Sequence, residues 1–134
     1  NRGNTLHPPE RIFWGAGAYD SGHRTKSREP GGDFLRLNMD AGGKSGRRKL
    51  CLADWDGDGR TDLLVNSLNV NFMRNMGSKD GKTTFRDVGT LSNLALAGHT
   101  TSPTTVDWNG DGIRDLLIGA EDGFLYYHRN PRSK

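Results

Sequence analysis

The feature that most constrains this chain is an acidic, glycine-containing segment that occurs twice. The first copy reads Asp54-Trp-Asp-Gly-Asp-Gly-Arg-Thr-Asp62, and the second reads Asp107-Trp-Asn-Gly-Asp-Gly-Ile-Arg-Asp115. Numbered from its first Asp, each segment has oxygen-bearing side chains at positions 1, 3, 5 and 9 and a glycine at position 6. That glycine permits a sharp reversal of the backbone, which directs the side-chain oxygens toward one point. Each segment is therefore predicted to be a loop that surrounds a cation.

Calcium is the cation that this set of ligands favours. Hard oxygen donors without His or Cys among them disfavour zinc and copper, and their number favours calcium over magnesium. Position 7 is expected to add a backbone carbonyl. Two ions are predicted, and their ligands are Asp54, Asp56, Asp58, the Arg60 carbonyl and Asp62 in the first loop, and Asp107, Asn109, Asp111, the Ile113 carbonyl and Asp115 in the second. Because Asn109 leaves the second loop with one carboxylate fewer, the second site is expected to bind more weakly.

The residues on either side of the loops predict β-strands. An EF-hand loop opens with the same pattern but needs a Glu at position 12, where this chain has Val65 and Ile118. Short apolar runs with β-branched residues precede position 1 and follow position 9 in both copies. Such runs are typical of strands. Each loop is therefore predicted to join two strands rather than two helices.

At both loops the chain resembles the FG-GAP or VCBS repeats of integrin α-subunit propellers and of many large secreted bacterial proteins. In that family a D-x-[DN]-x-D-G-x-x-D loop links the first two strands of a four-stranded blade, and an apolar strand and often Gly-Ala follow. Leu117-Ile-Gly-Ala120 matches that ending, whereas Glu121 and Asn66-Ser67 depart from it. The resemblance covers roughly residues 49–131. It implies an all-β fold of about two four-stranded antiparallel blades, which is a partial β-propeller.

The repeat extends beyond the loops and suggests how the chain is divided. A third strand ending in Arg-Asn is predicted at 70–75 and at 125–130, and a fourth at about 84–88 in the first copy only. Residues 1–48 are predicted to hold the outer strand of a preceding blade plus a glycine-rich basic connection. Residues 49–98 are predicted to form the first calcium-loop blade, and residues 99–134 an incomplete second one.

Two blades do not close a propeller ring, which typically uses four to eight. The chain is therefore expected either to form a homo-oligomer or to belong to a longer propeller. In the first case the strand near Leu6–Phe13 is expected to pair beside Phe124–Arg129 and to complete the second blade, in the same or another copy.

Two functions remain open from the sequence. A noncatalytic scaffold or binding role with a carbohydrate or protein ligand is favoured, because no nucleophile with a paired base is recognisable and the dense carboxylates serve the metal. The alternative is a fragment of a polysaccharide lyase or another glycan-degrading enzyme, since some propeller-type lyases are similar to this family. Millimolar calcium points to an extracellular or periplasmic location. No apolar stretch is long enough to cross a membrane.

The net charge of +3 conceals a basic surface, because seven of the 16 acidic residues lie in the two loops. Basic residues cluster at Arg24, Lys26 and Arg28 and again at Lys44 and 47–49. A solvated connection is favoured for these clusters over contact with an acidic glycan, and nucleic acid is disfavoured.

Trp55 and Trp108 both occupy position 2, which predicts a shared role. Either the indole packs under its loop and anchors it to the neighbouring blade, which is favoured, or it lies exposed as a platform for a sugar ring. Cys51 is expected to be a small core residue, and His99 an ordinary turn residue.

Overall fold

The computed structural model describes residues 6, 8–10, 12–16, 33–35, 37, 48–97 and 101–133. Among them there are nine strands and no helix. The strands are β1 (Phe13–Ala16), β2 (Asp33–Phe34), β3 (Leu50–Ala53), β4 (Asp62–Asn66), β5 (Val70–Lys79), β6 (Lys82–Thr90), β7 (Ser102–Val106), β8 (Asp115–Gly119) and β9 (Leu125–His128). The predicted all-β fold is confirmed. No helix in this part of the chain is long and apolar enough to span a membrane.

The first blade is an antiparallel meander in which β3, β4, β5 and β6 each pair with the next strand. The whole of β4 is buried, since its apolar side chains alternate between two covered faces of the sheet. The turn between β5 and β6 lies at Asp80 and Gly81, whose φ angles of 51° and 73° suit a tight hairpin. The predicted four strands are present, and β5 and β6 extend further than the sequence pattern indicated.

The second blade contains β7, β8 and β9 in that order. Both pairings are antiparallel, and Val106 lies opposite Asp115 at the two ends of the second loop. Within the described residues, which continue to residue 133, no fourth strand follows β9. The second unit therefore has the three strands that were predicted, and the two sheets together are compatible with a partial β-propeller.

The expected pairing of the N-terminal strand is wrong for the single chain. That strand starts at Phe13, where the predicted span ends, and it pairs in parallel with β6 of the first sheet and antiparallel with β2. It does not lie beside β9, whose partner in the second sheet is β8. The reason is apolar packing, because the ring of Phe13 meets that of Phe85 edge-on with 5.0 Å between centroids.

Two apolar clusters cover the two faces of the first sheet. One cluster joins the sheets and consists of Trp55, Leu64, Val70, Phe72, Leu96, Leu116 and Ile118. The other lies on the opposite face and consists of Leu63, Val65, Met73 and Phe85, with Phe13, Leu35 and Leu37 packed against it. Consecutive residues of β4 thus serve different clusters. The first sheet is fixed against the second on one face and covered by N-terminal residues on the other.

The predicted division at residues 48/49 and 98/99 stays a prediction. Residues 38–47 and 98–100, which lie next to these boundaries, are outside the described part of the chain.

Candidate metal centre

Both acidic loops connect the first two strands of their blades, as predicted. The first lies between β3 and β4, and the second between β7 and β8. The glycines at positions 4 and 6 have φ angles of 76° and 84° in the first loop and 75° and 82° in the second. The glycine at position 6 is the predicted one, and the glycine at position 4 meets the same need for positive φ. The two loops therefore follow one backbone path although they differ at positions 3, 7 and 8.

The carboxylate at position 1 holds each loop in shape. Asp54 accepts hydrogen bonds from the N–H groups of Gly57 and Gly59 at 2.8 and 3.1 Å. Asp107 accepts the equivalent bonds from positions 4 and 6 of its own loop at 2.8 and 2.9 Å. An ionised carboxylate has about four lone-pair sites. Each of these side chains therefore keeps acceptor capacity for a cation.

The side chains at positions 3 and 5 each use one oxygen within the loop. In the first loop, Oδ1 of Asp56 accepts the N–H of Asp58 at 3.2 Å, and Oδ1 of Asp58 accepts the N–H of Arg60 at 2.9 Å. Asn109 and Asp111 make the same contacts in the second loop at 3.0 and 2.8 Å. Ligand oxygens of the three carboxylates at positions 1, 3 and 5 of the first loop lie within 4.8 Å of one another. That spacing suits a single cation with oxygen ligands.

Position 9 is buried and is bonded to the backbone. Asp62 accepts the N–H of Trp55 at 3.0 Å and the N–H of Asn75 at 2.8 Å. Asp115 accepts the N–H of Asn130 at 2.8 Å. The structure thus brings positions 1, 3 and 5 of the first loop together and places position 9 against the third strand. Its role as a ligand, like that of the position 7 carbonyls, stays a prediction.

The Asn of each predicted Arg-Asn pair, which lies inside β5 in the first blade and just after β9 in the second, has a structural role that the sequence analysis did not assign. The side-chain amide of Asn75 donates to the carbonyl of Thr61 at 2.8 Å, and that of Asn130 donates to the carbonyl of Arg114 at 3.0 Å. Both carbonyls belong to position 8. The asparagines therefore fix the end of each loop to its sheet. Their recurrence at the same place in both copies was the available signal.

Two arginine side chains form ion pairs with carboxylates of the first loop. Nε of Arg74 lies 2.7 Å from Oδ2 of Asp56, and Nη2 of Arg74 lies 3.4 Å from Oδ2 of Asp58. Arg60 also pairs with Oδ2 of Asp58. Guanidinium groups thus stand where the carboxylates direct their free oxygens. The loop attracts positive charge, and its donors are the hard oxygens that calcium takes, so the residues fit the predicted ion.

The surroundings shift the pKa values of Asp58 and Asp62 in opposite directions. Desolvation acts to raise the pKa of Asp58, but the backbone N–H of Arg60 and the charges of Arg60 and Arg74 bring that pKa below its ordinary value. Desolvation raises the pKa of Asp62, and the N–H groups of Asn75 and Trp55 offset only part of that effect. The exposed end of the loop therefore favours the ionised form more strongly than its buried end does.

The two tryptophans at position 2 do not share a role. Trp55 is 6% exposed and packs in the cluster between the sheets, whereas Trp108 is 65% exposed. The ring of Trp108 lies 6.4 Å from that of Tyr127, which is also exposed. Anchoring to the neighbouring blade is confirmed for Trp55 and is wrong for Trp108. The second sheet has its indole on the face that turns away from the first sheet.

The other residues singled out in the sequence either bond to or pack against other residues of the chain or lie outside the described part. Cys51 packs against the cluster between the sheets, as expected of a core residue. Lys49 donates to the hydroxyl of Ser102 at 2.7 Å, and Arg48 donates to the carbonyl of Asn66 at 3.4 Å. The residues outside the described part are Arg24, Lys26, Arg28, Lys44, Arg47 and His99.

Comparison with known proteins agrees with this geometry. Residues 54–118 match the family model described as FG-GAP-like repeat. The match starts at position 1 of the first loop and includes the whole of the second loop and most of β8. No curated protein and no solved structure matches the chain. The resemblance inferred from the two loops is confirmed for this stretch.

Proposed function

We propose that this chain, whose residues 54–118 match the FG-GAP-like repeat model, is a calcium-binding β-propeller repeat module with a noncatalytic scaffold or binding role. One observation carries the proposal. Two loops with different side chains at positions 3, 7 and 8 have the same glycine conformations and the same hydrogen bonds to the position 1 carboxylate. In both copies the side chains at positions 3 and 5 use one oxygen for the backbone of the loop, and in the first loop ligand oxygens at positions 1, 3 and 5 lie within 4.8 Å of one another.

The side chains at positions 1, 3 and 5 are the principal ligands in this proposal. They are Asp54, Asp56 and Asp58 in the first loop and Asp107, Asn109 and Asp111 in the second. The carbonyls at position 7 and the carboxylates of Asp62 and Asp115 complete the sets. Bound calcium would supply the positive charge that offsets repulsion among these carboxylates. The chain itself supplies the shape, through its glycines and through the Asn side chains that fix position 8.

Stability is the contribution that we assign to the two ions. Each loop connects the first two strands of its blade, so a bound ion that holds the loop also holds the register of those strands. Binding to the folded state alone adds about 2.7 kcal/mol per site at a hundredfold excess over Kd. Loops of modest affinity are filled where calcium is millimolar. We therefore propose an extracellular or periplasmic location.

The outer face of the second sheet is the surface that we assign to a partner. Leu125 and Trp108 are each 65% exposed there, and Tyr127 lies beside them. Aromatic rings of this kind stack on sugar rings or pack against apolar side chains. A glycan or a protein is therefore the proposed ligand class. A sheet of the same kind, from another copy or elsewhere in a longer propeller, would cover the same face.

Thermal unfolding with and without calcium tests the metal proposal. The melting temperature of the wild type should rise in millimolar calcium and fall in chelator. Asp58→Ala and Asp111→Ala should each lose part of that rise, since each removes a position 5 ligand. Asp80→Asn is the matched control, because it removes an acidic group in a turn whose φ of 51° asparagine tolerates. A calcium response equal in all four proteins would contradict the proposal.

A further inference from the structure

We propose that Arg74 competes with calcium for the first loop, so that the second loop is the stronger calcium site although it has fewer carboxylates. The inference rests on the proposed function, because it concerns the relative strength of the same two loops. It reverses the order that the number of carboxylates predicts.

Arg74 contacts the oxygens that the backbone of the first loop leaves free. Oδ1 of Asp56 and Oδ1 of Asp58 accept backbone N–H groups of the loop, and the Oδ2 atom of each remains. Nε of Arg74 lies 2.7 Å from one of these Oδ2 atoms, and its Nη2 lies 3.4 Å from the other. One guanidinium thus bridges positions 3 and 5. A metal ion held by the side chains at positions 3 and 5 would compete for the same two atoms.

Arg60 and Arg132 add positive charge to the same loop. The guanidinium of Arg60 pairs with Oδ2 of Asp58, and its Nε donates to the carbonyl of Asn75 at 3.0 Å. Arg132 reaches over from the end of the second blade and donates to the carbonyl of Trp55 at 3.1 Å. Its guanidinium lies against Gly57, where an added Cβ would clash with it. Three guanidinium groups therefore surround the first loop.

The second loop has the equivalent arginine without the equivalent ion pair. Arg129 precedes Asn130 as Arg74 precedes Asn75, yet it is exposed. Among the described residues, the ion pairs with loop carboxylates involve only Asp56 and Asp58. Position 3 is Asn109, so a guanidinium has no second carboxylate to bridge, and position 7 is Ile113 where the first loop has Arg60. Oδ2 of Asp111 accepts the side-chain amide of Asn109 at 3.0 Å, so a neutral group rather than a guanidinium contacts this oxygen.

Arg74 therefore neutralises the loop carboxylates when calcium is absent and competes with calcium when it is present. The first loop keeps its shape at low calcium because Arg74 offsets the charge of its carboxylates, and calcium binds there only by displacing the guanidinium. Partly exposed ion pairs are individually weak, so the competition is modest. Removal of Arg74 should therefore raise the calcium affinity of the first loop about three- to tenfold.

Calorimetry on chains with a single intact loop tests the order of the sites. Asp111→Ala leaves the first loop intact, and Asp58→Ala leaves the second. With Arg74 present, the chain that keeps the second loop should bind calcium more tightly. A tighter first loop would overturn the inference while leaving the proposed function intact. Absence of calcium binding by both chains and by the wild type would instead remove the proposed function, and the inference with it.

Arg74→Gln in the Asp111→Ala chain then tests the cause. Its calcium affinity should rise three- to tenfold, and its melting temperature in chelator should fall because the carboxylates lose their internal counterion. Arg129→Gln in the Asp58→Ala chain is the matched control and should raise the affinity less than Arg74→Gln does, because Arg129 forms no ion pair with the described loop carboxylates. If Arg74→Gln leaves the affinity unchanged or weakens it, Arg74 does not compete. If that variant does not fold, Arg74→Lys, which cannot bridge both carboxylates with a planar fork, should show the same rise to a smaller extent, and no rise overturns the inference.

Discussion

Replacing Trp55 with alanine should destabilise the fold far more than the same change at Trp108, although both residues occupy position 2 of the same loop. Trp55 is 6% exposed and packs with Leu116 and Ile118 of the second sheet. Truncation of a buried Trp or Phe to alanine typically costs about 3–5 kcal/mol. The hydrogen bond from Trp55 to the Asp62 carboxylate is donated by the backbone N–H, so it survives the substitution.

The change at Trp108 should cost at most about 1 kcal/mol. Its indole is 65% exposed, and its ring contact is with the exposed ring of Tyr127. Urea unfolding in saturating calcium measures both variants, and an unchanged dependence on denaturant is needed for the free energies to be comparable. The expected difference between the two variants is thus at least about 2 kcal/mol.

A difference below about 1 kcal/mol would refute this reasoning. Two different results would give such a small difference. A small loss at Trp55 would mean that the cluster between the sheets does not hold them together. A large loss at Trp108 that grows with protein concentration would mean that another copy covers the outer face of the second sheet.

Three further predictions follow from single contacts. Asn130→Ala should cost about 1–3 kcal/mol because it removes the side-chain donor to the Arg114 carbonyl and one of the two donors to the Trp55 carbonyl. Asn75→Ala, whose amide donates to one carbonyl, should cost less in the same urea assay. Hydrogen bonds from the Tyr126 hydroxyl and the Phe124 N–H bring the pKa of Asp122 below its ordinary value of 3.8. The ionised form therefore stabilises the fold above pH 3.8, and this contribution is lost as the pH falls through the lowered pKa. The difference in melting temperature between wild type and Asp122→Asn should be present at pH 7 and vanish in acid. Light scattering should give a mass above 14.8 kDa, because the outer face of the second sheet is apolar and uncovered, and a monodisperse monomer would contradict self-association.

The strands next to the loops and the turn shape of the loops were predictable because both depend on neighbouring residues. Apolar runs with β-branched residues flank each loop, and glycines stand where positive φ is needed. The fourth strand of the first blade was predictable for the same reason. Its length was not, because β5 and β6 continue to the tight turn at Asp80 and Gly81 through pairing across the hairpin.

The contacts that the sequence could not show all depend on which strands lie side by side. Arg74 reaches Asp56 and Asp58 because β5 pairs with β4, with Met73 opposite Leu63. Phe13 joins Phe85 because β1 pairs with β6, whereas the repeat pattern favoured a pairing with the second blade. The contrast between Trp55 and Trp108 has the same origin. The repeat gives both residues one position in the loop, but only the first loop has a sheet packed against it.

A crystal structure determined in millimolar calcium tests the central claim most directly. The account predicts one calcium ion in each loop, with distances of about 2.3–2.6 Å to the oxygens at positions 1, 3 and 5 and to the carbonyl at position 7. The guanidinium of Arg74 should then have left Oδ2 of Asp56. Well-ordered loops without an ion at either position, and with Arg74 still between Asp56 and Asp58, would contradict the account.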